Sequence, residues 1–282
     1  MEKMRYDSSG KINLNDTYNL PDPVGYFAAL SHLDYQIPQR ALPIFRRMIA
    51  ARREARDERP IRVLDLGCSY GVNGALLKHG LSMSDLYRLY DSPPEEERER
   101  LIDRDREIYI DPADPDLDMI GLDVAEKAVA YAVEAGALDA GLAANLEARD
   151  PTAGEAEILA GAGLIISTGC FGYVTDTSLR RLVEASDGSR PWMAHFVLRM
   201  FAFDEASDML AQHGYTTEKV EGLYPQRRFA SAKEQAHAID NLDRLGIDPT
   251  AAEAEGWYLA ELHVSRPEDE AHSLPLERIL RQ

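Results

Sequence analysis

Cysteine is scarce in this sequence, and long apolar runs are missing. The 282 residues contain two cysteines, Cys68 and Cys170, and neither lies in a Cys-x-x-Cys pair or near a histidine at ligand spacing. A disulfide framework or a metal site therefore has little support. No run approaches the roughly 18 apolar residues that a membrane helix needs, and the acidic start Met1-Glu2-Lys3 is unlike a signal peptide. We expect a soluble, cytoplasmic protein without a metal ion.

Positive charge is also in short supply. Lysine and arginine number 31 against 49 aspartates and glutamates, which gives a net charge of -18. A chain this acidic repels polyanions, whereas nucleic-acid-binding proteins usually carry a basic patch that neutralises phosphates. Nucleic acids and anionic membrane surfaces are therefore not expected as partners, and a small molecule is the expected ligand.

Short apolar segments alternate with helical patterns along most of the chain. This alternation predicts an α/β fold with a doubly wound, mostly parallel, seven-stranded sheet and helices on both faces. The last two strands are expected to form a closing hairpin. The predicted strands are 61–65, 119–123, 144–148, 164–167, 192–198, 215–220 and 257–264, and the predicted helices are 72–79, 125–135, 178–184, 204–213 and 231–245.

Two regions stand apart from this alternation. Residues 1–58 are predicted to form an N-terminal helical cap or lid, with aromatic residues between Tyr18 and Tyr35 and an amphipathic helix from about Pro43 to Ala55. Residues 59–282 are predicted to form the Rossmann-like domain, with a charged surface insertion at about 81–118 and a helical insertion at about 225–250. The cap either closes over a ligand or simply packs against the sheet, and the sequence leaves both possibilities open.

A strand, a small-residue turn and a helix start follow one another between Val63 and Gly74. Asp65 ends the strand, and Gly67, Ser69 and Gly71 form the turn. Glycines let a backbone pass close to a ligand, and the helix start offers free N–H groups. The order of these elements predicts a ligand site at this turn.

This segment resembles the first motif of the class I S-adenosylmethionine-dependent methyltransferases, an acid followed by three alternate glycines. Asp65, Gly67 and Gly71 match that motif, and Ser69 replaces the middle glycine. The resemblance implies S-adenosylmethionine as cofactor, with Asp65 and Gly67 near its methionine amino group and with Cys68 and Ser69 along the same loop.

Two further acids occur where such enzymes hold the nucleoside. Asp123 ends the second predicted strand, where a carboxylate binds ribose hydroxyls, with a helix-capping role alone as the alternative. It follows Gly71 by about 50 residues instead of the usual 20 or so, and the charged insertion accounts for the excess. By resemblance, Asp150 is expected to contact the adenine amine, with an ordinary turn acid as the alternative.

The fourth predicted strand ends at Ser167, in the region that faces the transferred group in the family. Its sequence lacks the Asn/Asp-Pro-Pro-aromatic pattern of amino-methylating nucleic-acid enzymes, and it has no acid for Mg²⁺. Ser167 is expected to line the cofactor site, and Tyr26, Tyr35 and Tyr173 suit a sulfonium cation. Arg199 could bind a substrate carboxylate, with a structural ion pair as the alternative. The other polar residues considered are His195, which fits a core histidine, and Arg227 and Arg228.

Methyl transfer to a small molecule, in line and without a metal ion, is the expected function. One alternative is an azetidine-2-carboxylate synthase-like cyclase or an aminocarboxypropyl-type enzyme, which consumes S-adenosylmethionine and releases methylthioadenosine. A second is a non-catalytic protein that binds S-adenosylmethionine. A nicotinamide dehydrogenase fits the acid-Gly-x-Ser-x-Gly loop poorly. The acceptor atom and the oligomeric state do not follow from the sequence.

Overall fold

The sheet of this protein has seven strands in the order β3-β2-β1-β4-β5-β7-β6. We describe a computed structural model, covering residues 15–91, 97–186 and 188–281. All neighbouring strands are parallel except where β7 pairs antiparallel with β5 and β6. The strands are β1 (Ile61–Leu66), β2 (Leu117–Asp123), β3 (Ala140–Ala143), β4 (Leu164–Thr168), β5 (Trp192–Leu198), β6 (Tyr215–Arg228) and β7 (Trp257–Pro267).

This strand order, with its antiparallel closing pair, is typical of class I methyltransferases, so the predicted fold is confirmed. Apolar clusters cover both faces of the sheet. The helices of the described residues are α1 (Asn15–Tyr18), α2 (Val24–Ser31), α3 (Ile37–Arg56), α4 (Val72–Leu77), α5 (Met83–Leu89), α6 (Arg98–Tyr109), α7 (Glu126–Ala135), α8 (Ala153–Leu159), α9 (Asp176–Ala185), α10 (Asp204–Gln212), α11 (Ala232–Arg244), α12 (Ala251–Ala254), α13 (Glu268–Ser273) and α14 (Leu276–Leu280).

The third strand was predicted at 144–148, and this prediction is wrong. The strand is β3, which pairs with β2 before that segment. Gly141 lets α7 pack directly on β3, because a Cβ there would lie 2.5 Å from Val129 Cγ1. The Asn145 side chain then accepts the backbone N–H groups of Glu147 and Ala148 and turns the chain out of the sheet.

The N-terminal helix starts earlier than predicted, because α3 runs from Ile37 through Pro43. Pro43 costs a helical hydrogen bond, but its ring lies on the exposed side. Ile37 and Ala41 are fully buried on the opposite side. Their burial offsets the lost bond.

Both predicted insertions also need correction. Residues 81–118 include α5 and α6, and their Met83, Leu86, Leu101 and Ile102 side chains belong to the core, so the insertion is not only a surface element; its residues 92–96 lie outside the described ranges. The helical insertion starts after Arg228, because residues 225–228 continue β6. No helix within the described ranges is long and apolar enough to cross a membrane.

Candidate functional site

The loop after β1 has three residues in the left-handed backbone region. Gly67 and Gly71 have φ values of 78° and 75°, and Ser69 has a φ of 48°. A serine is strained in this conformation. Its backbone N–H donates to Asp123 Oδ2 at 2.9 Å, and the N–H of Ala125 donates to Asp123 Oδ1 at 3.0 Å. The carboxylate at the end of β2 therefore holds the loop after β1 in this shape.

Close backbone packing explains why glycine is needed at two places here. A Cβ at Gly67 would lie 2.7 Å from the Cβ of Cys170, and one at Gly121 would lie 2.6 Å from Cys68 Sγ. Cys170, which follows β4, thus packs against the loop, and Cys68 packs from the loop onto Gly121 of β2. Burial raises the pKa of both thiols, that of Cys170 to about 12, so neither is a ready nucleophile.

Asp65 is buried at the end of β1, with 1% of its surface exposed. The side-chain amide of Asn73 in α4 donates to Asp65 Oδ1 at 2.9 Å. The other carboxylate oxygen, Oδ2, is buried and has no hydrogen-bond partner among the described residues. Burial raises the pKa of Asp65 to about 7. Because a buried unpaired carboxylate oxygen is costly, this site favours a bound cation or hydrogen-bond donor.

The end of β4 adjoins Asp65 through Thr168. Asn73 Nδ2 also donates to Thr168 Oγ1 at 3.2 Å, so one amide joins β1 to β4. The hydroxyl of Tyr35 donates to the carbonyl of Thr168 at 3.4 Å, and Tyr87 donates to the carbonyl of Tyr35 at 2.6 Å. The segment between α2 and α3 therefore lies over the carboxyl end of β4.

The aromatic residues of α1 and α2 cover the glycine loop. Tyr26 is 3% exposed, and its ring lies 5.3 Å from that of Tyr18 and 5.2 Å from that of Tyr70. Tyr70 donates to the carbonyl of Leu20 at 2.9 Å. Burial raises the pKa values of Tyr26 and Tyr35 well above 10, while the side chains of Ser69 and Thr168, respectively, oppose the shift. Both phenols are hydrogen-bond donors, not bases.

Ser167 lies in a different environment from the Asp65 cluster. Its hydroxyl shares a 2.9 Å hydrogen bond with His195 Nδ1, and both residues are fully buried. Burial, with a smaller contribution from nearby His263, lowers the pKa of His195 to about 3. The imidazole is therefore neutral and packs between the rings of Phe171 and Phe203.

The remaining predicted site residues are exposed or form ion pairs. Tyr173 is 52% exposed. Asp150 is on the surface and pairs with Arg181 at 2.5 Å. Arg199 is in a buried ion pair with Glu253 at 2.5 Å. Of the two weaker arginine candidates, Arg227 pairs with buried Glu234 at 2.8 Å, and Arg228 pairs with Asp34.

Sequence reasoning missed Asn73, Thr168 and Gln226. A signal existed for Asn73, since it is an amide in an otherwise apolar helix, two residues beyond Gly71. Gln226 lies in β6 and reaches Gly169, although the two are far apart in sequence. Only the folded sheet brings these residues together. In the described part of the chain, no group of three or more His, Cys, Asp or Glu side chains could hold a metal ion.

The sequence matches no protein-family model and no curated protein. Among solved structures, it is similar to a TehB-like S-adenosylmethionine-dependent methyltransferase from Corynebacterium glutamicum, with 13% identity over 80% of this chain and 96% of that one and a TM-score of 0.37. A cyclopropane-fatty-acyl-phospholipid synthase-like protein from Lactobacillus casei has 12% identity over 81% and 91% of the two chains and a TM-score of 0.40. The plantazolicin methyltransferase BpumL has 12% identity over 82% and 87% and a TM-score of 0.35.

Proposed function

We propose that this protein binds S-adenosylmethionine at the carboxyl ends of β1, β2 and β4 and transfers its methyl group to a small molecule. One observation carries the proposal: the buried Asp65 carboxylate has an oxygen without a hydrogen-bond partner in the described part of the chain, beside a glycine loop that Asp123 holds in place. S-adenosylmethionine supplies an electrophilic methyl group on a sulfonium. An acidic site beside a glycine-containing loop suits a ligand with both a sulfonium and an ammonium group.

Different residues of the site would bind different parts of the cofactor. Asp65 Oδ2 would accept from the methionine ammonium, and the backbone of the loop at Gly67, which packs closely against Cys170, would lie beside the methionine chain. Each oxygen of Asp123 accepts one backbone N–H, and a carboxylate oxygen has a second lone pair for a ribose hydroxyl. Cys68, Ser69 and Gly71 would line the same loop. Asp150 would reach the adenine only after leaving Arg181.

The cap would orient the reactants and exclude water. Tyr26 and Tyr35 stay protonated because burial raises their pKa values, so they position groups by donating hydrogen bonds. Ring faces near a sulfonium stabilise it by roughly 0.5 to 2 kcal/mol. In-line transfer then depends mainly on holding the acceptor against the methyl carbon.

Binding and turnover test this proposal separately. Calorimetry with S-adenosylmethionine and with NAD should show binding of the first alone. Mass spectrometry of protein incubated with S-adenosylmethionine and small-molecule extracts should detect S-adenosylhomocysteine. A protein that binds the compound but forms no product would be a non-catalytic binder, and one that binds only NAD would refute the proposal.

A second candidate function is cyclisation of S-adenosylmethionine as the substrate, and the state of Asp65 favours it. A carboxylate with a pKa near 7 and an unpartnered oxygen can take a proton from an ammonium group at neutral pH. The freed amine would form a nitrogen–carbon bond with the γ carbon as the carbon–sulfur bond breaks. Methylthioadenosine without S-adenosylhomocysteine would identify this reaction.

A further inference from the structure

Gln226 is an extra residue in the pairing of β6 with β7. Pro225 lies opposite Leu259 and Arg227 lies opposite Tyr258, so Gln226 has no partner in the register. This is a β-bulge, a feature that re-aims a side chain and is frequent beside active sites. Here the bulge turns the side-chain amide of Gln226 toward Gly169, directly after β4.

The side chain of Gln226 is buried, and its oxygen is not hydrogen-bonded to any of the described residues. Only 4% of the residue is exposed. Its Nε2 approaches Gly169 so closely that a Cβ there would lie 2.0 Å away. Oε1 is buried and accepts no hydrogen bond within the described ranges. A buried amide oxygen without a donor destabilises the fold, and such exceptions call for an explanation such as a ligand.

The surroundings of Gln226 place it beside the reacting groups. Its backbone carbonyl accepts the N–H of Gln36 at 2.8 Å, which ties β6 to the cap. Thr168, next to Gly169, contacts both Tyr35 and Asn73. Gln226 thus reaches the end of β4 from the side opposite the glycine loop, where an acceptor would meet the cofactor.

The charges around this position disfavour an anionic acceptor. Arg227 and Arg199 already form buried ion pairs with Glu234 and Glu253, and Arg228 pairs with Asp34. Asp65, which has a buried carboxylate oxygen without a hydrogen-bond partner among the described residues, adds negative charge. A carboxylate ligand would therefore enter without a free cation to meet it, whereas an amine or a hydroxyl group could donate to Gln226 Oε1.

From these contacts we infer that Gln226 determines acceptor specificity: its side-chain oxygen accepts a hydrogen bond from an N–H or O–H group of a small amine or alcohol. This inference rests on the proposed methyltransferase function. It assigns to the acceptor a hydrogen-bond donor and no carboxylate at the reacting end.

The test compares Gln226→Met with Gln235→Met in the full-length protein. Gln235 is the matched control, because its amide is satisfied by the carbonyls of Glu253 and Ala254 at 2.9 Å each. Three quantities are measured: the melting temperature, the Kd of S-adenosylmethionine, and transfer of radiolabelled methyl to a panel of aliphatic amines, amino alcohols, phenols and carboxylic acids.

We expect the wild type to methylate an amine or a hydroxyl compound. Gln226→Met should raise the KM for that compound at least about tenfold, the loss of one hydrogen bond, with the Kd of S-adenosylmethionine within about twofold and the melting temperature unchanged or higher. Gln235→Met should lower the melting temperature and leave the KM unchanged.

An unchanged KM in Gln226→Met would overturn the inference, as would a wild type that methylates only carboxylic acids or no panel member while binding S-adenosylmethionine. A wild type that does not bind S-adenosylmethionine would instead refute the proposed function itself.

Discussion

Asp123 holds Ser69: the carboxylate at the end of β2 accepts the backbone N–H of the residue that replaces a glycine in the loop after β1, at 2.9 Å. The hydrogen bond offers a physical reason why a serine is tolerated with a φ of 48°, since it offsets part of the strain of this conformation. The glycine-containing loop after β1 and the acid at the end of β2, which the sequence presents as separate motifs, are thus joined by a hydrogen bond.

Replacing Asp123 with alanine should therefore have two effects. Affinity for S-adenosylmethionine should fall by about 1 to 3 kcal/mol, because a charged acceptor is lost. The free energy of unfolding should also fall by about 1 to 2 kcal/mol, since Ser69 and Ala125 lose their acceptor. Calorimetry and urea unfolding measure the two quantities.

Asp139→Ala is a suitable control for that variant. Asp139 also accepts a backbone N–H, that of Met119 at 2.7 Å, but it precedes β3 at the opposite end of the strands. It should lose stability and keep its affinity for S-adenosylmethionine. If Asp123→Ala keeps full affinity as well, Asp123 is not a ribose ligand.

Gly67→Val should abolish binding of S-adenosylmethionine and lower stability. The backbone has a φ of 78°, and a Cβ would lie 2.7 Å from that of Cys170, so a β-branched side chain would displace both the loop and the end of β4. Gly154→Val in α8 is the control, because nothing lies within 4 Å of its Cβ position. Normal binding by the Gly67 variant would show that the loop does not contact the cofactor.

The stability of the free protein should depend on the protonation of Asp65. Its pKa rises from 3.8 to about 7 on folding, so the folded state binds the proton more tightly than the unfolded state. The contribution of Asp65 to the free energy of unfolding should therefore be greatest below pH 4. This contribution should fall by roughly 3 to 4 kcal/mol as the pH rises to 7. Asp65→Asn should lack this fall and be the more stable protein at pH 8.

The free protein favours protonated Asp65, whereas a bound cation favours the ionised carboxylate because it stabilises the negative charge. Affinity for S-adenosylmethionine should then increase as the pH rises toward 7, with release of up to one proton at pH 6. Calorimetry in buffers of different ionisation enthalpy counts this proton. Equal proton release by wild type and Asp65→Asn would exclude Asp65 from the site.

Much of the fold followed from the sequence because parallel buried strands are continuous apolar runs. Trp192–Leu198 has the predicted bounds, whereas β3 was misplaced because its four residues include the small Ala140, Gly141 and Ala143. Strand ends also located Asp65 and Asp123. The bulge that carries Gln226 depends on pairing between strands, which no local pattern encodes.

The cap was predicted from its aromatic residues, but its contacts were not. Tyr35 on Thr168 and Tyr87 on Tyr35 join segments more than 50 residues apart. Arg199 was similarly ambiguous, because an arginine at a strand end suits both a substrate carboxylate and an internal acid. Its partner Glu253 comes from α12, just after the predicted helical insertion.

Arg199 should behave as a structural residue in a charge-pair test. Arg199→Met leaves buried Glu253 without its cation and should cost about 3 to 5 kcal/mol of stability, whereas Arg199→Met combined with Glu253→Met should recover most of it. Turnover should return in the double variant. A double variant that is stable and binds S-adenosylmethionine but has no activity would place Arg199 among the catalytic residues instead.

Binding of S-adenosylmethionine should slow the opening of the cap. Deleting residues 1–40 would test this poorly, because the deletion also removes fully buried Ile37 from α3. Trypsin cleavage at Arg40 or Arg46 would also report poorly on the cap, because both sites lie within α3. Hydrogen exchange avoids both problems: the ligand should protect α2 much more than α10, which packs on α9 and β6.

Tyr35→Phe, which loses the bond to Thr168, should cut turnover about tenfold and reduce the protection of α2 by the ligand. Tyr215→Phe is the control, since its buried hydroxyl has no hydrogen-bond partner within the described residues, and it should change neither quantity. Equal exchange of α2 with and without ligand, together with full turnover in Tyr35→Phe, would show that the cap only packs against the sheet.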